Sequence, residues 1–464
     1  MLCVAESKFS RAEILIQGKK VRGLGGRADM NNASEQSLLI KLLEKLRQSG
    51  FVRDIFSVSS GSALSQFIVI AASPILMRIY SPAELGIQAV CISLLFCAVI
   101  NTLRYNQGIP LPSRTTESIE IAIIALLVLV VTTLIAVSLL FFFIEEIATF
   151  SQTPTIIDLT LLLAAIFFLI GTTEILQGVA IRVKNFKSIG LAQVAQTLFQ
   201  LSYQITMGLI EPTAKHLVMG MLVGQLVATL VYAYGFYRSV SQFEFKNCAR
   251  LWEVARKYKN FPLLTSPSQL INGASIQATP FLLAAFYSSD VVGLLALAQR
   301  VIGLPLTTIG YGVAQVFFQR SALTQREDPD ELVRLYTRTA KTLLLISIAP
   351  IAIIAVTSPY LFSIIFGERW SDAGLYAAIL APMFVSQFTV APLSQVMAVI
   401  SAQRAQLVWD VNRLIAVSAV VIVAGQMQLD PRYCIAFYGV TMTFFYIWLY
   451  SLTKRQITLK NSGL

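Results

Sequence analysis

Apolar residues fall into twelve stretches along the chain, beginning near Phe56, Leu85, Ile121, Leu159, Ile189, Leu217, Pro262, Val291, Thr342, Ala373, Gln406 and Tyr433. Each is long enough to cross the roughly 30 Å of hydrocarbon in a bilayer as a helix. The pattern therefore predicts an all-α integral membrane protein with about 12 transmembrane helices. Ahead of them, Leu39, Leu42, Leu43 and Leu46 recur at helical spacing, with Lys41, Glu44, Lys45 and Gln48 on the opposite side and Gly50 at the end. That is the pattern of a short amphipathic helix, lying on the inner membrane surface or docked on a cytoplasmic loop. Residues 1–29 show no periodicity and are expected to be disordered, with Met30 a candidate natural start. The first 50 residues are polar and basic, without the apolar core of a cleavable signal peptide, so the first span should act as its own insertion signal.

Composition agrees, with 56% of residues hydrophobic and 13% charged, more apolar than a soluble fold needs. Charge then sets the orientation. Of the 36 Lys and Arg residues, 30 fall in every second gap between the stretches; the alternate gaps hold only Arg78, Lys215, Arg369 and Arg432. By the positive-inside rule both termini are cytoplasmic. The formal charge of +11 belongs to loops facing anionic headgroups, and nucleic acid is not expected as a partner. Five cysteines (Cys3, Cys91, Cys97, Cys248, Cys434) show no CxxC spacing, and His216 is the only histidine. No disulfide framework, metal site, cofactor or histidine-bearing triad is expected.

The chain also resembles itself at an offset of 207 residues. Tyr80-Ser81-Pro82-Ala83-Glu84-Leu85-Gly86, after the first stretch, returns as Tyr287-Ser288-Ser289-Asp290-Val291-Val292-Gly293 after the seventh. Six stretches separate the copies, an even number, so both halves enter the membrane in the same sense. Two parallel six-helix lobes follow, related by an axis along the membrane normal and enclosing a central substrate pathway. The expected division is a cytoplasmic tail over residues 1–55, lobes over 56–237 and 262–453, a basic linker over 238–261, and a short tail over 454–464.

Polar side chains inside the stretches mark candidate chemistry. Gln193, Gln196, Gln200 and Gln204 share one face of the fifth. Thr265, Ser268, Asn272, Ser275 and Thr279 line the seventh, and Arg300, Tyr311, Gln315 and Gln319 the eighth. Lipid cannot hydrate an amide, so the glutamine face needs a polar partner along its length or a water-filled cavity; the cavity reading is preferred, with the amides meeting a sugar. An arginine at bilayer depth costs about 2.5–3.5 kcal/mol on insertion scales, which makes Arg300 the leading candidate ligand for a phosphate; an ion pair with Glu174 or Asp290 is the alternative. Asp410 and Arg413 sit three residues apart, which favours a local pair, while ion coupling through Asp410 or Glu174 is the minor option.

Two motifs read as caps. Ser81-Pro82-Ala83-Glu84 is a capping box with Pro at the first helical position, and Asp328-Pro329-Asp330-Glu331 is an N-cap with first-turn acids rather than a metal-binding DxD string. The sequence holds no GxGxxG, no Walker-type loop and no large outer domain, so nucleotide-driven transport and outer-face catalysis are not expected.

Several runs carry a more specific likeness: Ser62–Gly86, Leu103–Pro112, Arg182–Phe186, Arg256–Pro262 and above all Val292–Arg320. With them the chain resembles oligosaccharide flippases of the polysaccharide transporter family, in the superfamily of multidrug and toxin extruders and the lipid II flippase. The resemblance covers nearly everything after residue 55. It implies two lobes around a cationic central cavity, alternating between inward-open and outward-open states, and no enzymatic activity. It further implies a lipid-linked oligosaccharide substrate: undecaprenyl-pyrophosphate-linked repeat units for O-antigen or capsule, carried to the outer leaflet of the bacterial inner membrane. Membrane lipids and other membrane proteins of polysaccharide assembly are the implied partners. Arg78, Arg104 and Arg300 fall in family-like motifs; the glutamine face, Asn272 and Gln315 are added from their chemistry alone. Two alternatives stay open. A cation-coupled drug antiporter would need acidic lumen residues that the first span lacks, and a polysaccharide polymerase or ligase would need a long outer loop.

Overall fold

The computed structural model describes residues 50–112, 114–239, 251–400 and 402–461. The tail helix around Leu39–Leu46 and residues 240–250 of the basic linker lie outside them. The first half supplies α1 (Gly50–Ile79), α2 (Pro82–Leu94) prolonged by a 3-10 stretch (Leu95–Ile100), α3 (Thr115–Phe150), a 3-10 turn (Pro154–Leu159) leading into α4 (Thr160–Arg182), α5 (Phe186–Gly208) and α6 (Ala214–Ser239). The short α7 (Leu251–Lys257) follows. The second half supplies α8 (Ser266–Phe286), α9 (Ser289–Ala298), α10 (Leu304–Glu327), α11 (Pro329–Phe366), the series α12 (Ser371–Ile379), α13 (Ala381–Val390) and α14 (Val396–Val399), then α15 (Gln403–Gln426) and α16 (Pro431–Asn461). No strand occurs among the described residues.

Helices stand at all twelve expected positions, yet the count of twelve spans is not reproduced. Among the described residues nine helices are long and apolar enough to cross a membrane, or ten if Glu368–Ile379 and Ala381–Val399, which meet at 52°, are one broken span. The exceptions are α5 and α8, whose glutamines, serines, threonines and asparagine dilute their apolar content. At the far end α16 runs without a break to Asn461, so most of the expected tail beyond residue 453 is helix. Large apolar side chains cover the outside, as on α3, where Phe141 and Phe142 are 74% and 75% exposed. In hydrocarbon such a surface carries no penalty, because lipid is as apolar as the side chains it touches.

The repeated motif builds the junction of the halves. Ser81 caps α2 by accepting from the Glu84 N–H at 3.4 Å, and Ser288 caps α9 in the same way from the Val291 N–H at 3.4 Å. The expected capping box is only half formed, because the Glu84 carboxylate turns to the backbone N–H of Ala214 at the start of α6. Asp328 does cap α11, accepting from the Asp330 and Glu331 N–H groups. Gly86 and Gly293, equivalent in the repeat, mark where α2 and α9 cross. A Cβ on Gly86 would strike the Ser289 backbone, and one on Gly293 would strike the Pro82 backbone. The reciprocity is what a two-fold relation between the halves requires.

The side-chain hydrogen bonds that join the halves cluster at this Tyr80 end. Trp370 Nε1 donates to the Met77 carbonyl at 2.7 Å, Gln152 Nε2 to the Ala285 carbonyl at 2.9 Å, and Arg78 to the carbonyls of Ile364 and Ile365 at 3.2 and 3.3 Å. Phe150 stacks near Phe281 and Phe286 alongside. The deepest of these bonds, Gln277 Nε2 to the Ile92 carbonyl, lies about 15 Å along α2 from Pro82. Packing between the halves runs on beyond these bonds, with Phe96 and Val99 beside Gly273 and Phe261 beside Gly108.

Candidate substrate site

Arg300 sits in a π-helical turn, Gln299–Gly303, between α9 and α10. Pro305 explains the turn: it has no N–H for the Val301 carbonyl, and its ring would press on that carbonyl, so the helix widens just before it. A second π turn, Phe261–Thr265, precedes Pro267 for the same reason. Arg300 is half-buried and makes no hydrogen bond or ion pair with any described residue. Of its two expected alternative partners, Glu174 is engaged elsewhere, and no contact joins Arg300 to Asp290.

The other interior arginines are occupied. Arg104 faces Glu174 at 3.8 Å, and Asn106 Nδ2 donates to the other Glu174 oxygen at 3.0 Å while Thr102 donates to Asn106 Oδ1 at 3.0 Å. Leu103 and Arg104 both adopt positive φ, 47° and 61°, to turn the chain at this point. Arg104 Nε nevertheless keeps no partner. Arg413 pairs with Asp410 at 3.0 Å, as their spacing predicts, stacks over Trp409 at 4.6 Å, and donates to Asn272 Oδ1 at 3.4 Å. Arg78 lies at the last turn of α11, donating to its terminal carbonyls, where a cation complements the helix dipole. Four arginines thus have four different settings, and only Arg300 lacks any counterpart.

The glutamine face of α5 needs a correction. Gln196 donates to Gln225 Oε1 at 2.8 Å, Gln225 donates on to Thr173, and buried Gln204 donates to the Leu217 carbonyl at 2.7 Å. Gly220 and Gly224 of α6 let the helices close on this face: a Cβ on Gly224 would lie 2.9 Å from the Gln200 Cβ. For Gln196 and Gln204, then, the amides meet polar partners in the α5–α6 seam rather than a water-filled cavity. Gln193 Oε1 is buried without a partner, and the Gln200 amide bonds to no described residue. The GxxxG spacing of Gly220 and Gly224, a signature of close helix packing in membranes, was the signal in the sequence for this seam.

No hydrogen bond or ion pair among the described residues joins the predicted residues into one cluster. Arg104 and Glu174 belong to one cluster, Asp410, Arg413 and Asn272 to another, and Arg300 and Gln315 to the α9–α10 run. A cavity of about 920 Å³ is lined mainly by apolar side chains of α2, α3 and α4 and Phe281 of α8, together with Asn101, Thr132 and Glu146, and does not include Arg300. No group of three metal-ligating side chains occurs among the described residues.

This is a multi-pass helical membrane protein with the fold of MOP superfamily transporters. The chain is similar to lipid II flippase MurJ in an inward closed conformation (11% identity, 87% of this chain and 90% of that one covered, TM-score 0.69). It is also similar to a multidrug resistance MATE family transporter of the MOP superfamily in an inward-facing conformation (14%, 86% and 96%, 0.64), and to one in an outward-facing conformation (13%, 88% and 95%, 0.54). Among curated proteins none matches. Residues 75–375 match the family described as polysaccharide biosynthesis protein, and the chain belongs to that family.

Proposed function

We propose that the protein flips undecaprenyl-pyrophosphate-linked oligosaccharide repeat units, for O-antigen or capsule, from the cytoplasmic to the periplasmic leaflet of the bacterial inner membrane by alternating access. The observation that carries this reading is Arg300, a guanidinium within a membrane-spanning run that no described residue neutralises. Holding it there is costly, and a pyrophosphate would supply both the missing charge and acceptor oxygens matched to the guanidinium fork. Family membership supports the polysaccharide pathway. With both termini cytoplasmic, the hydrogen-bonded Tyr80 end of the junction is periplasmic. Opening there would release Trp370, Arg78 and Gln152 and leave Arg78 free to take over the phosphates. The drug-antiporter alternative is less well supported, since Glu174 and Asp410 both face arginines instead of standing free for a cation.

The test is export in cells that depend on this protein. Arg300→Ala should abolish surface glycan at normal membrane abundance, and Arg300→Lys should keep part of it, because an ammonium holds the charge without the fork. Full export by Arg300→Ala would remove the basis of the proposal.

A further inference from the structure

Beyond Arg300, α10 carries a polar face toward the end of the bundle away from Tyr80. Thr307, Tyr311 and Gln315 follow one another at four-residue spacing, so they share one side of the helix. All three are exposed, and Tyr311 is 65% exposed. The opposite side holds Ile309, Val313 and Val316, and Ala314 and Phe317 are buried. Two outer faces of such different polarity on one membrane helix have different surroundings: the apolar one suits lipid, and the polar one suits a wet cleft. Because α9 is locked against α2 by Gly86 and Gly293, the α9–α10 run borders the division between the halves.

At one edge of this face lies a groove of about 200 Å³, shared by Leu306, Thr307, Gly310, Tyr311 and Ala314 of α10 with α13 and the 3-10 turn Ala391–Leu393. Tyr311 and Thr307 line one wall; Gln387, Gln395, Phe388 and Pro392 line the other. Thr307 returns its hydroxyl hydrogen to the Leu304 carbonyl. The Tyr311 hydroxyl and the Gln387 and Gln395 amides make no hydrogen bond with any described residue. Both walls belong to helices long and apolar enough to span a membrane, α13 as part of the bent pair. Unpartnered amides there cost less than an unpartnered arginine, yet they too favour a ligand with matching donors and acceptors.

We infer that this groove holds one sugar ring of the lipid-linked glycan, next to Arg300, with Tyr311, Gln387 and Gln395 as the residues that sense its hydroxyl pattern. The inference rests on the flippase reading and assigns it a glycan subsite. A pyranose has a face of C–H bonds that lies flat on a phenol ring and a rim of hydroxyls that both donate and accept, as an amide does. At about 30 Å³ per water, the volume corresponds to roughly seven waters, which is room for one ring rather than a whole oligosaccharide. Thr307 lies seven residues after Arg300, about 10 Å along the helix, so a sugar joined directly to a pyrophosphate held at Arg300 reaches the groove.

Two probes separate the claims: farnesyl pyrophosphate, which has the charged group without sugar, and lipid-linked glycan extracted from the source organism's membranes. Both are titrated against purified full-length protein. Wild type should bind both, and Arg300→Ala should weaken both. Tyr311→Ala, Gln387→Leu and Gln395→Leu should each weaken only the glycan-bearing lipid, by about fivefold per lost interaction, and Tyr311→Phe should keep the stacking share. Unchanged binding of farnesyl pyrophosphate certifies that a variant is folded. If the groove variants bind the glycan-bearing lipid as wild type does, or lose both probes equally, the subsite is refuted while the flippase reading stands. If wild type binds neither probe, the flippase reading fails and the subsite with it.

Discussion

Two polar faces cross the membrane in this protein, one on α5 and one on the α9–α10 run, and in sequence they look alike: amides and hydroxyls at helical spacing in apolar surroundings. In the structure they do opposite things. The α5 face is turned into α6, where Gln196 donates to Gln225, Gln225 on to Thr173, and Gln204 to the Leu217 carbonyl. The α9–α10 face keeps Arg300, Tyr311 and Gln315 without partners among the described residues. A polar row in a membrane helix is therefore not evidence of a pathway until its partners are known: the first row fastens a lobe together, and the second is available to a ligand.

Mutations should split along the same line. The largest effect belongs to Arg300→Ala, where glycan export falls to background while the thermal unfolding midpoint of the purified protein holds or rises, because an unneutralised charge has been removed. Next comes Asp410→Ala, which strands Arg413 in the core. Breaking a buried pair from one side costs about 3–5 kcal/mol, so membrane abundance should drop sharply, and removing both charges with Arg413→Met should recover much of it. Gln204→Leu should cost about 0.6–1.7 kcal/mol, the range for hydrogen bonds between membrane helices, seen as a lower unfolding midpoint with unchanged transport per folded molecule. The smallest effect is expected of Gln200→Leu, whose amide bonds to no described residue and whose volume leucine nearly matches. A transport defect there at full stability would return the α5 face to the pathway.

How far these differences could be read beforehand depended on whether the signal was local. Helix positions, caps and the repeat were legible because each rests on neighbouring residues: apolar runs of span length, Ser81 and Asp328 before a proline, and a motif recurring 207 residues on. The meeting of Gly86 with Gly293 follows from that repeat but needed the crossing of α2 and α9 to be seen. The Asp410–Arg413 pair was legible for the same local reason. Glu174 was not, since its partners Arg104 and Asn106 come from a turn about 70 residues earlier whose backbone takes positive φ without a glycine to announce it. The α5–α6 seam was announced by Gly220 and Gly224, but spacing alone cannot say which face of a neighbour a glycine pair admits. Gln387 and Gln395 stand singly in apolar sequence and acquire meaning only when the bend of α12–α14 brings them opposite Tyr311.

The central claim, that the α9–α10 face rather than the α5 face carries the substrate, is tested most directly by translocation in vesicles. Wild type, Arg300→Ala and Gln204→Leu are reconstituted at equal folded amounts, and the movement of lipid-linked glycan from one leaflet to the other is timed. Loss of movement with Arg300→Ala and wild-type movement with Gln204→Leu is the predicted result. Wild-type movement with Arg300→Ala, or loss with Gln204→Leu in protein that remains folded, would contradict it.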